Sequence, residues 1–276
     1  MQVYRGMDIG TAKVPKSVRS KIPHYLIDII DPWEPYSLCK YVNDANDIIS
    51  ELNNKDNLLL IVGGTGLYIR GLLHGVFEGP GADWDLRNRL TAAAREKNPD
   101  YLISILKTID PVSAEKLHKE DHKRIIRAIE VYEKTGIAIS TLQKKYYRPK
   151  PDYTYSIFVI NRSKEDLHCR IEHRIETMFE QGLVKEICSL QKDPKGMSKQ
   201  AVQALGYKET LQYLNNEIDL SQAIELIKRN TKKFAKRQMT WFKSFNNTIQ
   251  IDVDPNDSID TVGRKVLQFI KTCRTD

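Results

Sequence analysis

The chain has 276 residues, 41% of them hydrophobic and 29% charged, enough to bury a sizeable core and typical of an ordinary globular protein. Its 43 lysines and arginines against 36 acids leave a formal charge of +7, which favours an anionic partner and says nothing about fold. No run reaches the roughly 18–20 apolar residues of a membrane span, no apolar stretch follows a basic start as in a secretory leader, and Cys39, Cys169, Cys188 and Cys273 are too scattered for a zinc site or a dense disulfide framework.

Residues 5–16, with Gly6, Gly10 and Pro15, read as loop. IPHYLIDIID (22–31) alternates and then runs apolar, which predicts a short strand or a segment packed under one. Over 36–54, Tyr36, Leu38, Val42, Ala45, Ile48, Ile49 and Leu52 recur at helical spacing. LLLIVGG (58–64) is a short apolar run closed by paired glycines, the pattern of a buried parallel strand and its turn. GLYIRGLLHGVF then restores helical spacing.

From 83 to 147 the texture changes to four helical segments, DWDLRNRLTAAAREK, NPDYLISILKTI, SAEKLHKE and HKRIIRAIEVYEKTG, parted by Pro or Gly. This predicts an all-helical insertion, with YYRPKPDYTY as the linker back. YSIFVI (155–160) is a second core strand, expected beside 58–64, followed by helices over 164–181, 183–191, 199–214 and 221–244. NTIQIDVD (247–254) closes as a strand and 258–273 as a helix. Strands alternating with helices make the fold class α/β, with residues 1–82 and 148–276 as the core around an insertion of 83–147.

Four stretches carry candidate chemistry. GGTGLY (63–68) follows the expected strand; its glycines let backbone approach a ligand and Thr65 offers a hydroxyl, unless it is merely a tight strand-to-helix turn. In HKRIIRAIE (122–130), Lys123 and Arg127 share one helix face and Ile125, Ile126 and Ile129 the other, giving a phosphate-binding face or a solvated one. RIEHR (170–174) sets Arg170 and Arg174 four apart, suited to a diphosphate or to intrahelical pairing with Glu172 or Glu176. His168 and His173 lack a third ligand, so no metal site is read there. IKRNTKKFAKRQMTWFK (227–243) holds seven basic residues and no acid, with Ile227, Phe234 and Trp241 repeating every seven residues as a core-facing line. A merely solvated face mixes charge signs, so this one suits phosphate contacts and base stacking.

MQVYRGMDIGTAK, IPHYLIDI, IVGGTGLYIRGLL, RIIRAIEVYEKTG, ALGYKE and KRQMTWF stand in that order between Met1 and Phe242, and with them the chain resembles the tRNA dimethylallyltransferase family. The resemblance implies a P-loop-NTPase-like parallel-sheet core with a helical insertion domain, in a nucleotide-binding (ATP-binding) type of protein. It implies a cytoplasmic, monomeric enzyme that uses Mg2+ and moves a dimethylallyl group from dimethylallyl diphosphate to N6 of adenosine 37 of tRNA, gripping the anticodon stem-loop.

Carried onto this sequence, the resemblance makes Met1 and Gln2 the tail of a tRNA-contacting segment and gives Thr65 the catalytic position beside the reactive base. It adds Arg87, then Lys123, Arg124, Ile125, Ile126 and Arg127 as tRNA contacts. Further contacts are Val202, Gln203, Ala204, Leu205, Gly206 and Tyr207, and lastly Lys236, Arg237, Gln238, Met239, Thr240, Trp241, Phe242 and Lys243. Arg170 and Arg174 take the diphosphate. Family members open with a GPTxxGKT-type loop and, later, an aspartate proposed as the base. Neither stands in this sequence, so a shortened chain with weak or no activity is expected, GGTG and the arginines being the remaining phosphate candidates. Two other functions fit parts of the pattern: a P-loop kinase acting on a small metabolite, and a non-catalytic anticodon-stem-loop-binding protein.

Overall fold

The computed structural model describes residues 1–53, 58–98, 100–148, 151, 153–245 and 247–273. In chain order these form α1 (Lys16–Arg19), α2 (Leu38–Asn53), α3 (Gly66–His74), α4 (Trp84–Glu96), α5 (Tyr101–Ile109), α6 (Pro111–Lys116), α7 (His122–Thr135) and α8 (Ile139–Tyr146). There follow β1 (Ile157–Asn161), α9 (Lys164–Glu180), α10 (Leu183–Gln191), α11 (Lys199–Val202), α12 (Tyr207–Leu214), α13 (Leu220–Phe242), β2 (Thr248–Asp252) and α14 (Ile259–Cys273). They group into two compact units, one of Met1–Ser37, Asp44–Gly66 and Tyr153–Asp276, the other of Leu38–Asn43 and Leu67–Asp152.

The second unit is helical, and its local signals explain why. Asp83, Asp110 and Asp121 cap α4, α6 and α7, each carboxylate accepting a free N–H of the first turn; Pro111 opens α6, and Gly136 ends α7 at φ 68°. Leu102 and Leu106 of α5 pack with Ile125, Ile126 and Ile129 of α7. Each such side chain contributes about 1.5–3 kcal/mol when fully buried. Asp110 is itself buried, and four hydrogen bonds from the N–H and hydroxyl groups of Ser113 and Ser140 satisfy it, tying α6 to α8. Residues 83–147 lie within this unit, which also takes in 38–43 and most of α3.

In the first unit β1 and β2 pair in parallel from Ile157 opposite Thr248 to Asn161 opposite Asp252, with Val159 and Ile251 buried. Ile171 and Ile175 of α9 pack against Ile227 and Ala235 of α13; of the expected core line along α13, Ile227 lies in this cluster, while Phe234 and Trp241 are half-buried outside it. Asp219 and Gln222 cap α13 reciprocally.

Three expectations need correction. Residues 58–62 belong to no strand: β1 pairs with β2, and Leu58, Leu60, Ile61 and Val62 are 49%, 66%, 49% and 91% exposed. An apolar run becomes a strand only where another backbone completes its ladder, and among the described residues none lies alongside. Residues 22–31 contribute a single parallel bridge, Ile30 to Tyr4. The helix expected over 199–214 is two, because Gly206 at φ 88° breaks it between α11 and α12. Residues 54, 99, 149, 150 and 152, at the ends of two expected helical segments and in the expected linker, lie outside the described residues.

Candidate functional site

The GGTG turn and the TWF end of α13 read as separate motifs in the sequence, yet they form one surface. Gln238 Nε2 donates to the Gly64 carbonyl at 2.8 Å. The same carboxamide leaves no room for a β-carbon on Gly64, and the Trp241 ring leaves none on Gly66. Gly66 is therefore required by close approach to the Trp241 ring rather than by a positive φ, whereas at Gly64 the flexible end of Gln238 would have to give way. Thr65 stands between them, exposed. Trp241 and Phe242 both reach Phe245, with ring centroids 5.6 Å and 6.0 Å apart, which stiffens the aromatic end of the helix. Around this end Lys236, Arg237, Thr240 and Lys243 are exposed, while Gln238, Met239, Trp241 and Phe242 are half-buried.

The basic stripe of α13 is not uniformly free. Lys228 pairs with Glu176 at 3.0 Å and Lys232 with Glu172, both acids lying on α9. Its hydrogen bond to Glu176 holds the Lys228 ammonium above its ordinary pKa, and Lys232 holds Glu172 below the usual carboxylate value. The two glutamates considered as partners of Arg170 and Arg174 thus serve α13 instead. Arg229, Lys233, Lys236, Arg237 and Lys243 have no carboxylate partner among the described residues, and Arg237 lies 5.8 Å from the Phe234 ring.

Arg170 and Arg174 have different surroundings. Arg170 Nε donates to Asp166 at 2.9 Å and its Nη2 to the Pro255 carbonyl at 3.2 Å, while Arg162 takes the other Asp166 oxygen at 2.9 Å. Burial alone would raise the Asp166 pKa; hydrogen bonds from the two arginines outweigh it, so the carboxyl lies below its usual value. Arg174 is exposed and has no carboxylate partner among the described residues. Of the two, Arg174 is the one without a neutralising carboxylate, and burial around its guanidinium lowers its pKa from the ordinary value.

Met1 is exposed, and Gln2 turns its carboxamide Nε2 to the carbonyls of Thr11 and Ala12, each 3.1 Å away. In the stretch 202–207, Gln203 is exposed, Val202 and Leu205 are half-buried, and Ala204, Gly206 and Tyr207 are buried. Glu209 fastens the junction, accepting the Gly206 N–H at 3.0 Å and the Asn230 amide of α13 at 2.7 Å.

In the second unit Glu130, not singled out in the sequence, organises the arginines that were. It is fully buried and accepts from the Asp83 N–H (2.7 Å), from Arg87 through Nε (2.8 Å) and Nη2 (2.7 Å), and from Arg127 (2.5 Å). Burial alone would push this carboxyl up; the hydrogen bonds, Arg87 foremost, outweigh it and bring the pKa down to about 2. Two guanidiniums against one carboxylate leave one net positive charge, and both arginines stay about a third exposed, at 28% and 32%. The legible signal was an acid at a core-facing turn of an amphipathic helix, which needs a cationic partner. Lys123 and Arg124 are exposed, whereas Ile125 and Ile126 are 0% and 7% exposed and face the core. Side-chain contacts from this stretch therefore fall to its basic residues.

Among the described residues no three His, Cys, Asp or Glu converge as metal ligands, and no helix is long and apolar enough to cross a membrane. A model of the IPP transferase family matches residues 2–245. The tRNA dimethylallyltransferase of Acetivibrio thermocellus is 41% identical over 273 residues, covering 99% of this chain and 87% of that one. The structure is similar to that of the full-length tRNA isopentenylpyrophosphate transferase of Bacillus halodurans, at TM-score 0.68 and 34% identity over 98% of this chain and 84% of the other. It is also similar to a eukaryotic dimethylallyltransferase acting on tRNA, at TM-score 0.76 and 25% identity over 99% and 71% of the two chains. The expectation of weak or absent activity, and the kinase and non-catalytic readings, find no support in these relatives. A match across residues 2–245, with extensive identity and a shared P-loop-NTPase-like α/β fold, establishes that the chain belongs to the IPP transferase family, that of the tRNA dimethylallyltransferases.

Proposed function

We propose that this protein transfers the dimethylallyl group of dimethylallyl diphosphate to N6 of adenosine 37 in tRNA, acting as a cytoplasmic monomer. The observation that carries the reading is the GGTG turn seated on Gln238 and Trp241, with the exposed Thr65 hydroxyl between its glycines. The same helix end offers Lys236, Arg237 and Lys243 to an RNA backbone. A base taken out of the anticodon stack can stack on aromatic side chains and hydrogen-bond along its edge, and Thr65 and Trp241 are the side chains of those two types here.

In the reaction the N6 lone pair forms a bond to the allylic carbon as the carbon–oxygen bond to diphosphate breaks. The leaving oxygen keeps its electron pair, and the alkylated N6 then passes its extra proton to solvent water. Arg174, without a carboxylate partner among the described residues, is the residue we assign to that departing charge, which the lack of a competing acid supports. The magnesium expected of the family finds no converging set of acidic or imidazole donors among the described residues. Arg87 and Arg127, held on Glu130, would grip phosphates elsewhere on the stem-loop.

The test is direct. Purified protein is incubated with dimethylallyl diphosphate and an anticodon stem-loop carrying adenosine 37, and the RNA is digested and weighed by mass spectrometry. A gain of one dimethylallyl group on that adenosine is expected. A folded protein that binds the stem-loop and leaves every adenosine unmodified would overturn the assignment.

A further inference from the structure

We propose that Glu186 is a positioning residue for RNA recognition, acting through the loop that holds Gln2. The inference rests on the functional reading above for what Gln2 meets, and on the geometry alone for how it is held. Glu186, on α10, accepts the backbone N–H of Asp8 at 2.9 Å, of Ile9 at 2.6 Å and of Gly10 at 3.3 Å. Three successive amides turned toward one anion make a nest of the kind that binds phosphate. Here the chain's own carboxylate fills it.

The Tyr207 hydroxyl donates to the same carboxylate at 2.5 Å, and the Tyr207 ring leaves no room for a β-carbon on Gly10. Burial and its bond to Glu186 raise the Tyr207 pKa, so the phenol stays protonated and donating. Glu186 thereby clamps the loop against the junction of α11 and α12, from positions far away in sequence.

The clamp extends to Gln2. The loop turns through Ala12 at φ 46°, a left-handed conformation costly for a residue with a β-carbon, so something must hold it. Just there the Thr11 and Ala12 carbonyls accept from Gln2 Nε2. Two acceptors on one side settle which end of the carboxamide is nitrogen. Gln2 Oε1 is left with no partner among the described residues, a fixed acceptor for an N–H or O–H of the substrate. A second clasp, Lys13 to the Tyr4 carbonyl at 2.7 Å and to Asp8 and Asp28 at 2.5 Å each, anchors the base of the loop without touching its tip.

The experiment compares Glu186→Ala, Glu186→Gln and Tyr207→Phe with the parent, with Glu180→Gln as a control for lost charge on an exposed neighbouring turn. Melting temperature, stem-loop affinity, and kcat and KM for both substrates are measured well below every melting point. Glu186→Ala should lower kcat/KM for RNA roughly tenfold to a hundredfold, with the KM for dimethylallyl diphosphate unchanged. Glu186→Gln, which can still accept from the amides, should recover part of the loss; Tyr207→Phe, which leaves the nest intact, should lose less than Glu186→Ala. Equal damage to both substrates, or a lower melting point with RNA kinetics untouched, would overturn the proposal. A parent that transfers nothing would sink the functional reading instead, and the stem-loop affinity of Glu186→Ala against the parent would then decide the role of Glu186.

Discussion

The carboxylate of Glu130 has no exposed surface, yet it stays ionised because two guanidiniums and a backbone N–H close around it. Removing its charge would leave Arg87 and Arg127 repelling each other across a carboxamide. Glu130→Gln should therefore cost about 3–5 kcal/mol, the usual cost of breaking a buried ion pair from one side. The pH dependence has a definite sign. The folded pKa, about 2, lies below the ordinary 4.5, so the stabilisation is complete above 4.5 and is lost as pH falls from there toward 2. Urea unfolding of parent and variant across that window checks it: the parent should lose on the order of 3 kcal/mol more than Glu130→Gln. Equal pH slopes would show that the cluster does not hold the charge. Sequence periodicity revealed which side of α7 is buried but not which arginines answer Glu130, since Arg87 comes from another helix.

At the scale of elements, α13 does two jobs along its length. Its early turns bind α9 through Ile227 and the pairs of Lys228 and Lys232, while its last turns carry unpaired cations and the seat of the GGTG turn. Counting charges along one helix could not reveal this division, because the closest acids to Lys228 and Lys232, Glu176 and Glu172, sit on α9. The division predicts a contrast in RNA binding. Replacing Lys233, Lys236 and Arg237 by alanine should flatten the slope of log affinity against log salt by about 2–3, at about 0.7–0.9 for each phosphate no longer neutralised. Replacing Lys228 and Lys232 should leave that slope near the parent's. Salt titrations of the three proteins with one stem-loop decide it; identical slopes would return the stripe to a solvated face. Gly66→Ala tests the other job: a methyl group pressed into Trp241 should cost about 1–3 kcal/mol and reduce transfer. Unchanged melting and turnover would mean that the turn and the helix end yield to each other freely.

At the scale of the molecule, most helices were legible because 3.6-residue periodicity and capping residues are local signals, and β1 and β2 were legible as apolar runs, but their pairing with each other was not. The site was legible as separate motifs only. That Gly66 needs α13, or that Asp8 to Gly10 need Glu186, depends on tertiary packing no spacing rule encodes. Residues 58–62 failed for a related reason, since a strand is a property of two backbones and not of one apolar run. That segment sets how the protein behaves in a tube. Apolar and facing water, with no ladder partner among the described residues, it offers a surface on which another copy can pair, the usual seed of edge-to-edge aggregation. Shelf life at high concentration should therefore be limited by these residues. Leu60→Lys, a charge placed mid-run as a gatekeeper, should lower light scattering on storage while leaving the melting temperature almost unchanged.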